Sequence, residues 1–532
     1  MAQTGDTSDN GHDLATYSAR VLHLLWSYAP DAAIEVGRLP PVLWEDPRRG
    51  NRDALRERAA ELADAVSEIR GGSDDFVAAA RYHLECAAST MAHSDIGELN
   101  HMTGPVSRLS WASRSWPRAE DPRFARYVER LRAFPEYASR LIGEIEQAGT
   151  RGSTPVLRAF VEQVDTLVAE RETGPDPLLF DLEAARAEDD SVVTPPQPVL
   201  DDVYVALADL RMVAVAAQRD ADETSPLADS AAGASRYRDA ILRGTSVSIT
   251  PERVEALGRN TLRATDAEFA ALAERATAHD SLVSAAEILS RFRRAHAMLD
   301  AKSRVLVEHW PHTPCEVIAM PDTNAATGPA AFYGPSSHRN NRPGSLYVNL
   351  TVPSVTRPWE VLPLAMHEGV PGHHLQLALL DENDELPDLL RLLPVNSFTE
   401  GWAVYSETLA STIGAVADTD DLDRLGLLAH QRWRAARLVV DVGLHVHGWS
   451  VERAVEFMVE QTRLDAAQVR KEVIRYLAWP GQALGYALGA QVISEWVREQ
   501  LDAGKSLAAA HTALLARGSL PLRALATDRE TG

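Results

Sequence analysis

The sequence predicts a large, mainly α fold with a small β-sheet beside a metal-binding helix and a deep cleft at the site. Three observations predict it. Apolar residues recur at helical spacing over most of the 532 residues. One stretch, from Trp310 to Leu350, breaks that pattern with prolines, aromatics and turn formers, and reads as β. Directly after it, histidines and a glutamate cluster between apolar flanks, and buried polar groups need partners.

The chain is long enough to bury a large core and to hold two or more domains. Hydrophobic content is 45%, ordinary for a globular protein, and the formal charge is −23. That charge argues against nucleic acid or an anionic membrane as partner. The two cysteines, Cys86 and Cys315, form no metal or redox pattern and fit reduced thiols in a cytoplasmic protein. No apolar run has a signal peptide's flanks, and none is long enough to span a bilayer.

Residues 1–12 are polar and are expected to be disordered; residues 13–235 form an N-terminal helical region and 236–532 the catalytic region. Asn51 to Ile69 and Arg123 to Ile145 repeat apolar residues at helical spacing. Trp26, Trp44, Trp111 and Trp116 are expected to pack between such helices. Gly174 to Pro198, with its prolines and the acidic run Glu188 to Asp190, reads as a long surface connection. A helix follows from Val203 to about Arg219, then a loop from Ser225 to Gly233. Thr250-Pro251-Glu252 is a helix start, with Thr as cap and Pro in the first turn. Helices continue to about Glu308. Glu316 to Met320, Ala331 to Gly334 and Ser345 to Leu350 are the expected strands, the last two separated by the loop Pro335 to Gly344. After the histidine cluster the pattern is helical again to about Arg517.

The cluster is Met366-His367-Glu368-Gly369-Val370-Pro371-Gly372-His373-His374-Leu375-Gln376. His-Glu followed by a further His is how a zincin helix begins: two imidazoles bind zinc and the carboxylate activates a water. A regular zincin has its second His four residues on, where this chain has Pro371. At about 100° per residue His373 would face elsewhere, and His374 would regain the face roughly 10 Å along the axis. Pro371 and Gly372 supply a break. The motif therefore reads as a zincin helix with a two-residue insertion, bulged so that His373 reaches the metal. A buried loop of satisfied histidines is the alternative.

A third ligand is needed, and Phe398 to Glu407 offers it. Glu400 and Glu407, seven apart, share a helical face. Either could instead pair with an arginine such as Arg434 or Arg437. Glu400-Gly401-Trp402-Ala403 is similar to the Glu-Gly-aromatic-Ala run that carries the third zinc ligand in gluzincin aminopeptidases. Asp441 and His445 lie four apart on one face. They either orient a ligand, bind substrate, or form a buried pair. Arg475-Tyr476 and Pro480-Gly481-Gln482-Ala483, with Tyr486, gather phenols, an amide and a guanidinium around a helix break.

Taken in order, these stretches resemble a bacterial family called domain of unknown function 885. The resemblance rests on His-Glu-x-x-Pro-Gly-His-His-x-Gln, Glu-Gly-Trp-Ala-x-Tyr-x-Glu, the Asp-x-Gly-x-His…Gly-Trp run and Arg-Tyr…Pro-Gly-Gln-Ala…Tyr. It extends upstream through Arg236 to Leu257 and Pro30 to Trp44, and so covers most of the chain. It implies a place among the zincin-like metallopeptidases of gluzincin type, and a helical fold like the carboxypeptidase Taq and thimet oligopeptidase group. It also implies that the second ligand is the first His after Pro-Gly, here His373, with His374 as the alternative.

The expected chemistry is then hydrolysis of an amide or peptide bond. His367, His373 and Glu400 would hold one Zn²⁺ per chain, with a water in the open position. Glu368 would be the general base. Tyr486, or else Tyr476, would donate to the developing oxyanion. Asp441, His445, Arg475, Gln482, Glu407, Tyr333 and Asn349 are candidates for supporting ligands or binding substrate, and Arg475 for holding a carboxylate. The expected partner is a short peptide or a peptide-like small molecule. A zinc amide hydrolase for one metabolite, or a non-catalytic scaffold of the same fold, are the other readings. The intact Glu368 argues against the scaffold.

Overall fold

The structure is a computed structural model. It describes residues 13–526 except 93–95, 118–123, 150–151, 180–181, 183–185, 187–191, 229–230, 277–283, 321–328, 340, 352–356 and 418–419. The polar N-terminus and the acidic run 188–190 lie outside the described residues. The fold is mainly helical, with one three-stranded sheet among the described residues. No helix among them is long and apolar enough to cross a membrane.

The chain divides into two compact units. One comprises residues 1–236, 444–451 and 472–479; the other comprises 237–443, 452–471 and 480–532. The first is built from helices such as Arg49–Ala65, Asp74–Met91, Ala125–Ala148, Thr154–Thr173 and Gln197–Ala217. Their apolar faces meet in a core that includes Trp116, Phe134, Phe160 and Leu207. Trp44 and Trp116 are buried, while Trp26 and Trp111 are half-buried. The helix expected from Val203 begins at Gln197, because a proline is tolerated in the first helical turn, where its missing N–H would have no partner.

The second unit carries the histidine cluster. Thr250 caps the helix Pro251–Ala276, its hydroxyl accepting from the Arg253 N–H at 3.3 Å. Helix α1 (Ala285–Ser303) leads to strands β1 (Cys315–Ala319), β2 (Ala331–Gly334) and β3 (Gly344–Val348). β3 is central, parallel to β1 and antiparallel to β2. Leu346 and Val348 are fully buried on one face of the sheet. On the other face Phe332 stacks on Tyr347, with ring centroids 4.6 Å apart.

The cluster is not one bulged helix. It is two helices, α2 (Val361–Glu368) and α3 (His373–Glu382), joined by the turn Gly369–Gly372. Pro371 has no N–H to continue the ladder. The turn repairs the broken ladder itself: the Gly372 N–H donates to Met366 O at 2.9 Å and the His374 N–H to Gly369 O at 3.0 Å. Only glycine fits at 372, where a Cβ would stand 2.1 Å from the His367 carbonyl oxygen.

Three further helices complete the frame: α4 (Asn396–Glu407), α5 (Asp421–His445) and α6 (Gly485–Asp502). α4 and α6 cross backbone to backbone. A Cβ on Gly401 would meet the Gly489 backbone at 2.6 Å, and one on Gly489 would meet Ser397 O at 2.1 Å. The buried Trp402 indole of α4 donates to Pro371 O at 2.9 Å, which ties α4 to the turn between α2 and α3.

Candidate metal centre

His367 ends α2, His373 begins α3, and Glu400 projects from α4. The Glu400 carboxylate oxygen lies 3.4 Å from His367 Nε2 and 3.5 Å from His373 Nε2. The two imidazoles stand 4.7 Å apart at 80° to one another. Ligand atoms of His367, Glu368 and His373 also lie within 4.8 Å of one another. Glu400 approaches both imidazoles most closely and could complete a ligand set with them, with Glu368 beside it.

The donor set fits a zinc ion. Tetrahedral bonds of about 2.0–2.1 Å separate neighbouring ligand atoms by about 3.4 Å, the spacing of the two His–Glu contacts. Two imidazoles and a carboxylate are a catalytic zinc set that leaves one position open. The tautomer also fits. His367 Nδ1 lies 2.8 Å from Glu407 Oε1, so with a metal bound the ring N–H would sit on Nδ1 and leave Nε2 free to face Glu400 and His373.

The charges of the cluster are coupled. Burial would depress the His367 pKa, but the Glu400 and Glu407 carboxylates outweigh it and lift the value to about 9. Burial would raise Glu400, yet the two imidazoles hold it well below the usual carboxylate range. Glu407 is likewise held low, chiefly by the Arg434 guanidinium, which donates to Oε1 at 3.0 Å. Glu368 goes the other way. Burial, aided by the Glu400 charge, raises it against the pull of His367 and His373.

Tyr486, in the first turn of α6, lies parallel to the His367 ring, at 6.5 Å and 11°. The Arg437 guanidinium sits 4.3 Å from the Tyr486 ring centroid and 4.4 Å from that of Trp433. The remaining sequence candidates have other partners. His374 turns to the sheet, with Nδ1 3.0 Å from the Tyr333 hydroxyl. Tyr476 donates its hydroxyl to Glu472 at 2.7 Å, and Arg475 pairs with the same carboxylate at 2.9 Å, both in the first unit. Asp441 accepts from the Tyr237 hydroxyl at 2.6 Å and the Gly481 N–H at 3.1 Å. It anchors the break before α6, where Gly481 adopts a φ of +80°. His445 spans Ser225 Oγ (2.7 Å) and Tyr476 O (3.1 Å). Gln482 donates to Asn396 Oδ1 at 3.2 Å. Asn349 donates to Pro329 O and accepts from the Thr351 hydroxyl, a turn-stabilising role.

Sequence reasoning passed over His430, buried with Nδ1 3.7 Å from Glu407 Oε2. The available signal was the row His430, Arg434, Arg437 along one face of α5, polar groups recurring at helical spacing in an otherwise buried helix.

A family model described as a bacterial protein of unknown function (DUF885) matches residues 30–528. No curated protein matches the chain. Two solved structures share the fold. A candidate lipoprotein from Colwellia psychrerythraea is 23% identical, with a TM-score of 0.84, covering 96% of this chain and 97% of its own. A candidate lipoprotein of unknown function from Shewanella oneidensis is 14% identical, with a TM-score of 0.70, covering 96% of this chain and 98% of its own.

Proposed function

The chain belongs to the DUF885 family, and from that premise we propose that it is a zinc-dependent hydrolase of amide bonds in short peptides, with a zincin-like arrangement of its site. One observation carries the reading: a single Glu400 oxygen stands 3.4 and 3.5 Å from two imidazole Nε2 atoms, the spacing of zinc ligands.

His367, His373 and Glu400 would hold the metal. When bound, zinc supplies Lewis acidity, polarising a carbonyl and bringing the pKa of a water near 7. Glu368 takes the proton of the attacking water on its carboxylate and passes it to the leaving amine. Its position beside the ligand set, and a pKa raised by burial, suit a group that must accept a proton and then release it. Glu407 holds His367 with Nδ1 protonated and is itself held by Arg434. Tyr486 donates its hydroxyl to the developing oxyanion, its ring kept in place by the Arg437 guanidinium.

The test is metal analysis of the purified chain, followed by a short-peptide library digest read by mass spectrometry. The expected result is about one zinc per chain and cleavage that Glu368→Gln abolishes. Zinc retained after His367→Ala and His373→Ala are combined would refute the assignment of the ligands.

A further inference from the structure

We propose that the groove between the helices Ala125–Ala148 and Gln197–Ala217 of the first unit is a docking surface for a cationic amphipathic helix of another protein. The inference does not depend on the metal centre.

The helix Gln197–Ala217 is apolar on more faces than it buries. Leu207, Leu210 and Ala214 are fully buried in the core of the unit. Val205 and Met212 lie on another face and are 61% and 60% exposed. A helix that buries one face normally turns polar residues to solvent. Val205 and Met212 are seven residues apart, two turns along one stripe. They stand on one wall of a groove of about 400 Å³, and Ala138 and Ile142 of the facing helix stand on the other. A helix that lays its apolar face into such a groove anchors itself at residues one and two turns apart, the spacing of this stripe.

The charges of the groove select the occupant. Asp202 and Asp209 share the wall with Val205 and Met212, each three residues before an apolar side chain. Other carboxylates on and beside this helix are taken: Asp201 pairs with Arg171 at 2.5 Å, and Asp165 with Arg211 at 2.7 Å. Asp202 and Asp209 are exposed and form no ion pair or side-chain hydrogen bond among the described residues. They lie about 10 Å apart along the axis. Their complement is a helix with Lys or Arg two turns apart beside its apolar anchors. No lysine or arginine lines the groove, so a second copy of the chain would bring carboxylate against carboxylate. The stretches 1–12 and 187–191 carry no lysine or arginine either. A formal charge of −23 sets the chain against an anionic bilayer.

The test uses the full chain and a fluorescein-labelled synthetic helix of about 18 residues, long enough to hold its fold alone. The probe carries leucines on one face and lysines seven apart beside them. Fluorescence anisotropy should show saturable binding of one probe per chain. The double variant Val205→Ser, Met212→Ser, which changes no charge, should weaken it about tenfold, and Asp202→Asn, Asp209→Asn by a similar factor. Glu456→Gln with Glu460→Gln removes the same charge from exposed positions of the second unit and should leave the affinity unchanged. All six side chains are exposed, so the melting temperatures should match the wild type. No binding by the wild type would overturn the proposal. So would wild-type affinity in either groove variant, or an equal loss in the Glu456 and Glu460 control. A wild-type dimer that sediments as a monomer in Val205→Ser, Met212→Ser would give the groove to a second copy and overturn it too. Binding to phosphatidylcholine vesicles that the same variant loses would do so in favour of lipid.

Discussion

His367 Nδ1 lies 2.8 Å from Glu407 Oε1, and the same oxygen accepts from Arg434 Nη2 at 3.0 Å. Two groups from two helices thus converge on one buried carboxylate oxygen of a third helix. A carboxylate behind a ligating histidine fixes its tautomer and raises its basicity, and losing such a partner typically costs 10–100-fold in metal affinity. Glu407→Gln is therefore expected to weaken metal binding by about 10- to 100-fold in a competition titration with a chromophoric chelator. It also leaves Arg434 buried without its counter-charge, so the melting temperature should fall. Unchanged affinity would mean that Glu407 serves Arg434 alone.

Glu368→Gln preserves shape but cannot accept a proton. Metal content should stay at the wild-type level while kcat falls by about 10²–10⁴. Turnover at the wild-type rate would transfer the base role to another group.

Tyr486→Phe removes one hydroxyl beside a ring that the Arg437 guanidinium and the His367 imidazole flank. An oxyanion donor acts mainly in the transition state, so kcat should drop by about 10²–10³ with little change in KM. An effect confined to KM would make Tyr486 a substrate-binding residue instead.

Gly372→Ala tests the turn between α2 and α3. A Cβ at 372 would press on the carbonyl oxygens of His367 at 2.1 Å and Met366 at 2.4 Å, both backbone atoms that cannot step aside. The expected result is joint loss of metal content and of thermal stability. A variant that keeps both would show that the turn can be rebuilt without glycine.

Acid should destabilise the fold through its buried histidines. His445 is bonded at both nitrogens to Ser225 Oγ and Tyr476 O, and His511 to Leu306 O and the Tyr405 hydroxyl. Burial pushes both pKa values down to about 4, against a smaller upward pull from their backbone bonds. Unfolded histidine titrates near 6.5. Between the two values the unfolded chain binds more protons, so the stability held by the neutral rings is complete above about pH 6.5 and drains away as the pH falls toward 4. Melting curves from pH 7.5 to 4.5 should show this, and His445→Gln should flatten the slope. An identical slope in the variant would remove His445 from the account.

Much of the fold is written locally. Apolar periodicity marks the long helices, because a helix that buries one face must repeat apolar residues along it. The strands at 315–319, 331–334 and 344–348 fall where aromatics, β-branched residues and turn formers replace that period. Pro371 and Gly372 announce a break, since the missing N–H and the missing Cβ are properties of the residues themselves.

Which side chains then meet was left to the tertiary structure. Periodicity put Glu400 and Glu407 on one helical face but could not divide their roles. The crossing of α4 and α6 at Gly401 and Gly489, and the Trp402 bond to Pro371 O, bring Glu400 to both Nε2 atoms and Glu407 to Nδ1. Residue spacing could not choose between His373 and His374, because a break leaves the direction of the second helix open. The turn sends His373 to Glu400 and His374 to the Tyr333 hydroxyl. Asp441 and His445 share a face by spacing, yet each is claimed by a different neighbour, Tyr237 with Gly481 for one and Ser225 for the other. Residue types and their spacing along one helix determine which direction a side chain points. The partner waiting there comes from elements dozens or hundreds of residues away, and only close packing of the whole chain selects it.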